Sequence, residues 1–202
     1  VKDDASALVL ELWAPDPSCA KEKVAKVEKQ QKQVTEKQAK HNTNDYVRIG
    51  EVARGLGVVP FLLKPACSDY DQIEQAGADA ILAMIDVITR NMRQRVEKLL
   101  VETAAKQPGK AVLTYGGALH NDVAPRPERA SWSFAAPLGE LSGGRYVELD
   151  LVIPEAIRDT PAWQALRWHG SYHSETMGDP VVLLKHAARG YVLFCKRDPA
   201  KP

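Results

Sequence analysis

Apolar residues along this chain follow two different spacings. Segments with helical spacing alternate with short, nearly continuous apolar runs at 8–13, 58–63, 111–115 and 146–153. Runs of this length bounded by Gly and Pro are typical of buried strands, whereas a recurrence every three to four residues is typical of amphipathic helices. The alternation predicts an α/β fold in which helices flank a mostly parallel sheet. Two further runs, 181–185 and 191–196, predict a C-terminal antiparallel hairpin at one edge of that sheet.

Helices are predicted for segments 19–40, 46–54, 70–103, 126–141 and 161–167. The long central one carries an apolar stripe, which we expect to pack in the core, at Ile81, Met84, Ile85, Ile88, Met92, Val96, Leu99 and Leu100. On a continuous helix with Ile81 at the centre of this stripe, Arg90 lies on the opposite, solvated face. Arg90 reaches a functional site only if the helix breaks between Asp86 and Arg90.

The length of 202 residues, without an internal repeat or a low-complexity linker, favours a single α/β domain over 1–202. The chain begins at Val1 rather than Met, so we expect a strand and a motif upstream of residue 1 to be missing. The run 146–153 alternates apolar and polar residues, which predicts that one face of this strand is less buried than the other.

Charge and composition narrow the class of partner. The chain has 27 basic and 26 acidic residues, a formal net charge of +1, and aromatic residues that are not interleaved with a basic stripe. These features give no basis for nucleic-acid binding. No apolar run approaches the length of a membrane-spanning helix. We therefore expect no nucleic-acid partner.

The three cysteines leave two alternatives open. Cys19 follows the first predicted strand, Cys67 follows the second, and no CxxC pair occurs. If these strands are parallel neighbours, both cysteines lie at one edge of the sheet, and a Cys19–Cys67 disulfide in an oxidising compartment is feasible. The alternative is three free thiols, with Cys195 as the third, in a cytosolic protein.

The strongest candidate for chemistry is the turn after the third strand. Gly116 and Gly117 permit a tight turn and a close approach to a ligand, and His120 is suited to metal binding or proton transfer. Glu11 is a charged residue inside an apolar strand, so it either faces a site or lies at the strand's exposed end. Glu11 and His120 at one sheet edge could bind a divalent metal or share a proton. The alternative is an ordinary turn with a structural histidine.

The other histidines give weaker signals. His169 and His173 have the spacing of metal ligands on one helical face, but Gly170 and Ser171 between them favour a loop. His41 and His186 are interpreted as surface residues. Neither a phosphate-binding GxxxxGK[ST] loop nor a GxSxG nucleophile elbow occurs in the sequence.

Three motifs over residues 8–126 resemble the superfamily that unites ChaN-type haem-binding lipoproteins, Tiki-type metalloproteases and erythromycin esterases. They are the strand Leu8-Val9-Leu10-Glu11, the segment Thr89-Arg90-Asn91-Met92, and the turn from Tyr115 to Arg126, whose Pro-Arg end is closest to the ChaN-type branch. The resemblance implies that Glu11, Arg90 and His120 line a pocket at the carboxyl edge of the sheet. The family's Gly-Glu-x-His turn has no counterpart before Leu8.

The resemblance implies a small-molecule or haem ligand, membrane attachment only through an upstream lipid anchor, and two alternative functions. The first is an exported, ChaN-like lipoprotein of iron uptake, located in the periplasm or outer membrane rather than the cytoplasm. It would bind haem or another iron cofactor through Gly116, Gly117, His120, Tyr115 and Arg90, with Tyr115, Tyr70 or a histidine as axial ligand.

The second function is a metal-dependent hydrolase. Glu11 and His120 would hold the divalent transition metal or activate water, and Arg90 would stabilise developing negative charge. A further ligand would come from upstream of the chain or from His169 and His173. A third interpretation, independent of the resemblance, is a non-catalytic protein-interaction domain that uses the charged helix 20–40.

Overall fold

The computed structural model describes residues 4–14, 16–38, 45–172 and 181–195. The chain divides into two compact units, residues 1–120 and 121–202, each built on its own three-stranded sheet. The predicted α/β class is confirmed: parallel strands are flanked by helices, and the chain ends in an antiparallel hairpin. Among the described helices, none combines the length and the apolar character that crossing a membrane requires.

The first unit contains sheet A, with strands β1 (Ala5–Trp13), β2 (Val59–Leu63) and β3 (Ala111–Tyr115) in the order β2-β1-β3. All three are parallel, and Leu10 of β1 stands opposite residues of both neighbours. β1 is therefore the central strand, and its Val9 and Leu10 are 0% and 1% exposed. This position explains its nearly continuous apolar sequence, because both faces of a central parallel strand are covered.

Helices connect the strands of sheet A. Helices α1 (Lys21–Gln38) and α2 (Asp45–Gly55) lie between β1 and β2, and α3 (Cys67–Gln75) and α4 (Ala80–Lys106) lie between β2 and β3. The single helix predicted over 70–103 is wrong, since α3 and α4 are separated there by a short 3-10 turn. Gly77 begins that turn at φ 56°, a left-handed conformation that glycine adopts without steric cost and that ends a helix.

Helix α4 is continuous through Arg90, so the break that would bring Arg90 to a functional site is absent. Ile81, taken as the centre of the stripe, lies in the first turn and is 53% exposed. Val87 is 0% exposed although helical geometry places it well away from the Ile81 side. The reason is that α4 packs against α3 as well as against the sheet. A helix with two neighbours buries more than one stripe.

The second unit contains sheet B, with strands β4 (Glu148–Val152), β5 (Val181–Lys185) and β6 (Gly190–Cys195). The order is β4-β6-β5, with β4 parallel to β6 and the predicted β5–β6 hairpin antiparallel. A short helix α5 (Ala118–Asn121) follows β3 along the chain, and helices α6 and α7 and three short 3-10 segments precede the hairpin among the described residues. Their bounds are α6 Ala135–Leu141 and α7 Pro161–Gln164, with 3-10 segments at Pro127–Trp132, Pro154–Ala156 and His169–Ser171.

The alternation along β4 is present, but its apolar side is the exposed one. Leu149 and Leu151 are 50% and 57% exposed, whereas Glu148 is 4% exposed. The buried face is fixed by β6, whose fully buried Val192 stands opposite Asp150 in the parallel register. The core of this unit, made by Trp168, Val192 and Phe194, therefore lies on the side of β4 that carries carboxylates.

Candidate functional site

A disulfide links two segments of the chain at the carboxyl edge of sheet A. Cys19, in the segment after β1, is bonded to Cys67 at the start of α3, with their Cα atoms 5.3 Å apart. The structure thus shows the Cys19–Cys67 disulfide, and Cys195 is a free thiol. The bond joins the two segments that leave the carboxyl ends of β1 and β2, which are parallel neighbours.

Glu11 and His120 meet at this edge. Glu11 lies near the carboxyl end of β1 and His120 follows β3, so the parallel pairing of these strands brings the two residues together. Glu11 Oε1 is 3.8 Å from His120 Nε2, and Glu11 Oε2 accepts a hydrogen bond from the Gly117 amide at 2.6 Å. The side chains are 18% and 4% exposed. Glu11 therefore faces a site rather than bulk solvent.

The imidazole of His120 is oriented by helix α4. Thr89 Oγ1 lies 2.9 Å from His120 Nδ1 and donates its hydroxyl proton to the carbonyl of Ile85, also at 2.9 Å. A hydroxyl has one proton, so the ring nitrogen must be the donor in the contact with Thr89. This network assigns the proton of neutral His120 to Nδ1. Nε2, which can then accept a proton or bind a metal, is the atom that faces Glu11.

Gly116 makes room for the Glu11 carboxylate. A Cβ atom at position 116 would lie 2.3 Å from Glu11 Oε2 and 2.9 Å from Glu11 Cβ, a distance at which one of them must move. At position 117 the nearest atom would be Glu11 Oε2 at 3.6 Å, an ordinary contact. The close approach predicted for the double glycine is therefore an approach of the backbone to Glu11, and only Gly116 requires it.

Arg90 lies in a different cluster. Its Nη2 is 2.5 Å from Asp69 Oδ1, and Asn91 Nδ2 donates to Asp69 Oδ2 at 3.2 Å. Asp69 Oδ2 also accepts from the amide of Ala66 at the start of α3. The Arg-Asn pair of the sequence motif thus ties α4 to the first turn of α3. The Arg90 side chain is 41% exposed. It is therefore less exposed than expected for a residue on the helix face opposite Ile81.

Replacing Arg90 by Ala is expected to lower the free energy of unfolding by about 1–2 kcal/mol, because Asp69 loses a charged partner while it is largely buried. The matched control is Arg93→Ala, whose ion pair with Glu97 on the same helix is exposed and worth about 0.5 kcal/mol or less. Urea denaturation of both variants measures the difference. Equal losses in the two variants would contradict this role for Arg90.

Tyr115 borders a cavity of about 290 Å³ that Arg48, Ile49 and Val52 also line. Its ring meets that of Tyr46 edge to face, with centroids 5.4 Å apart. Burial and the negative charge of Glu11 raise the pKa of Tyr46 to about 12, so its hydroxyl stays protonated. The cavity combines an apolar wall with one phenol and one guanidinium.

Tyr70, the other tyrosine considered as an axial ligand, is a core residue. It is 1% exposed and packs edge to face against Trp13, with ring centroids 6.0 Å apart. His169 lies in the second unit beside Trp168, with ring centroids 6.1 Å apart. His173, its partner in the predicted metal pair, lies outside the described residues, as does His41.

The second unit contains a group of metal-ligating side chains that the sequence analysis did not identify. Glu148, Asp150 and His186 each offer one ligand atom, and these atoms lie within 4.8 Å of one another. Burial raises the pKa of Glu148 to about 7, although the Val123 amide that donates to it acts in the opposite direction. Burial also raises the pKa of Asp150, and the nearby His186 acts to lower it.

The interpretation of His186 as a surface residue is wrong for its ring, since both ring nitrogens are buried. The sequence carried one usable signal for this group: Glu148 and Asp150 are two residues apart on a strand and so share a face. His186 lies 36 positions after Asp150 in the numbering, and only the β5–β6 hairpin brings it to them.

Comparisons of this chain with protein-family models, with characterised proteins and with solved structures found no match. The resemblance to the ChaN, Tiki and erythromycin-esterase superfamily therefore rests on the three sequence motifs. The structure brings two of these motifs together, because Glu11 of the first lies beside Gly116 and His120 of the turn. Arg90 of the remaining motif pairs with Asp69 instead.

Proposed function

We propose that this chain is a ChaN-like binding protein that holds a transition metal, alone or within a cofactor, at the carboxyl edge of sheet A. The observation that carries the proposal is the His120 imidazole, anchored at Nδ1 by Thr89 and facing Glu11 Oε1 across 3.8 Å with Nε2. Two ligands of one tetrahedral ion lie about 3.4 Å apart, so a small shift of either side chain suffices.

The hydrogen bonds around this pair support a metal site. Metal-bound histidines usually donate their second ring N–H to an acceptor, which fixes the ring and its tautomer. Thr89 provides that acceptor for His120, and the Gly117 amide holds one oxygen of Glu11. The ligand pair is thus oriented by a helix and by the turn after β3.

Haem would instead bind in the neighbouring cavity, because the four porphyrin nitrogens leave no adjacent pair of positions on the iron for Glu11 and His120. Tyr115 would hold the haem iron through its phenolate oxygen, as tyrosine does in some haem proteins. Ile49 and Val52 offer apolar contacts for the porphyrin, and Arg48 offers a cation for a propionate. Titration with haemin tests this form: a Soret shift at one equivalent, lost in Tyr115→Phe and kept in Tyr46→Phe, supports it.

A metal-dependent hydrolase is the alternative that uses the same two residues. The metal would supply Lewis acidity and a water of lowered pKa, and Glu11 would accept a proton from that water. Hydrolysis of an ester or peptide substrate that needs added metal and is lost in His120→Ala would favour this alternative over a pure binding protein. The interaction-domain interpretation has less support, because Lys23 and Lys26 of α1 are paired with Asp71 and Glu74 of α3.

We also propose export to an oxidising compartment. The support is the Cys19–Cys67 bond, since disulfides persist mainly in secreted and periplasmic proteins. The same localisation suits an iron-cofactor-binding protein of the ChaN type.

Metal binding is tested with a pair of glycine variants. Gly116→Ala is expected to displace the Glu11 carboxylate and to weaken binding of Zn²⁺ or Mn²⁺ about tenfold or more, whereas Gly117→Ala is expected to leave it unchanged. Isothermal titration measures both, in proteins that carry Asp150→Asn so that the second unit's acidic group does not contribute.

Glu11→Gln and His120→Ala should each lose the same binding event as Gly116→Ala. An isotherm that none of these three changes alters, in variants that unfold at the same temperature as their parent, would refute metal binding at Glu11 and His120.

A further inference from the structure

We propose that Glu148, Asp150 and His186 form a second metal site, in the second unit, that takes a divalent transition-metal ion such as Zn²⁺ or Mn²⁺. This site is independent of the one at Glu11 and His120. The three ligand atoms lie within 4.8 Å of one another. They would move by about 1 Å to reach the separation of about 3.4 Å that a tetrahedral ion imposes.

The topology of sheet B builds the site. Glu148 and Asp150 point to the same face of β4 because they are two residues apart. β6 lies between β4 and β5, and its Gly190 stands opposite Glu148 in the parallel register. The amide of His186 donates to the carbonyl of Gly190 at 3.0 Å. The hairpin turn therefore places His186 beside the amino end of β4.

His186 itself points to a ligand. Both ring nitrogens are buried, and neither has a hydrogen-bond partner. A neutral imidazole has one donor and one acceptor, and a buried polar group without a partner costs free energy of folding. A metal ion bound to one nitrogen would satisfy the acceptor and remove part of this cost. An unsatisfied buried group of this kind often marks an ion or a water.

The absence of a side chain at Gly190 leaves room for the His186 imidazole. A Cβ atom there would lie 2.7 Å from Cε1 and 3.1 Å from Nε2 of His186, and 3.0 Å from the Ala187 Cβ. Any larger residue at position 190 must push the ring away from its present position. The glycine thus keeps the His186 ring against the backbone of β6, on the side of the sheet where the acidic pair lies.

The donor set and its charge fit a divalent transition metal. Two carboxylates and one imidazole offer two negative charges and a nitrogen ligand, a combination suited to Zn²⁺, Mn²⁺ or Fe²⁺ more than to Ca²⁺. The Val123 amide orients Glu148 by donating to Oε2. Arg167, whose positive charge acts on Glu148, is engaged by Asp122 and by the Ala124 carbonyl.

The test is a titration of the full chain with Zn²⁺ by calorimetry, with Co²⁺ absorption as a second readout. Asp150→Asn is expected to lose one bound ion per chain relative to the wild type, whether or not the first unit binds another. Gly190→Ala keeps all three ligands and is expected to weaken the same event about tenfold or more by displacing the imidazole. Glu140→Gln, which changes an exposed carboxylate on α6 outside the group, is the control that should bind as the wild type does.

NMR of the histidine rings identifies the ligand directly, because Zn²⁺ should shift the ring ¹⁵N resonances that His186→Ala removes. Asp150→Asn is nearly the same size as the native residue, so it serves as the test if His186→Ala does not fold. An isotherm identical in the wild type and Asp150→Asn, or unshifted His186 resonances at saturating Zn²⁺, would overturn the proposal. Loss of the Glu11 and His120 site in its own variants would leave this result unaffected.

Discussion

Replacing both Cys19 and Cys67 by Ala is expected to lower the free energy of unfolding by about 4 kcal/mol. The bond spans 48 positions, and closing a loop of that length in the unfolded chain removes about that much conformational free energy. It also fastens the start of α3 to the segment after β1, next to the edge that carries Glu11. We expect the loss to be the largest among the single sites discussed for the first unit.

Urea denaturation of the double variant and of the wild type, both without reductant, measures this effect. Reduction of the wild type should reproduce it, and Cys195→Ala should not, since Cys195 is a free thiol in the second unit. A double variant within about 1 kcal/mol of the wild type would show that the bond contributes little, because strain or unfolded-state structure offsets the entropy.

Glu148→Gln is expected to raise the free energy of unfolding at pH 8, in EDTA, by up to about 3 kcal/mol. The folded-state pKa of Glu148 is about 7 against an ordinary value of 4.5, mainly because the carboxyl is buried. Asp150 and Asp122 add to this increase, and the Val123 amide and Arg167 oppose it. Each unit of pKa difference corresponds to about 1.4 kcal/mol.

The sign follows from proton binding. Between pH 4.5 and 7 the folded protein keeps the proton on Glu148 after the unfolded chain has lost it, so stability falls as the pH rises through this window. Below about pH 4.5 the wild type and Glu148→Gln should be alike, and above pH 7 the difference should be constant. Glutamine does not titrate and still accepts from the Val123 amide.

Urea denaturation at pH 4.5, 6 and 8 measures this difference, with Glu140→Gln as the exposed control on α6. A stability difference that does not change with pH would contradict the assignment to Glu148. At pH 8, added Zn²⁺ should make the wild type more stable than Glu148→Gln, because a metal ion bound at the second site would need the ionised carboxylate.

The local pattern of the sequence determined the elements that frame the first site. The apolar run at 111–115 corresponds to β3, whose bounds it predicts, and the run at 58–63 corresponds to β2 within one residue. Glu11 and His120 could be expected at one edge because parallel strands end on the same side of a sheet. The sequence predicted a tight turn at Gly116. It did not show that glycine is required there because the Glu11 carboxylate lies against the backbone.

Contacts between distant segments decided the rest. Helical periodicity gives the angle of Arg90 around α4 but not the presence of α3, whose Asp69 pairs with it. The positions of Cys19 and Cys67 in the sequence were compatible with a disulfide or with free thiols. The disulfide forms because β1 and β2 are adjacent.

The second site depended most on tertiary structure. Alternation in β4 indicates two unlike faces but not which one the core of Trp168, Val192 and Phe194 covers. Burial of the face with Glu148 and Asp150 is costly for charges, and hydrophobicity alone predicts the reverse. His186 joins them through the strand order β4-β6-β5, a long-range pairing that no local spacing encodes.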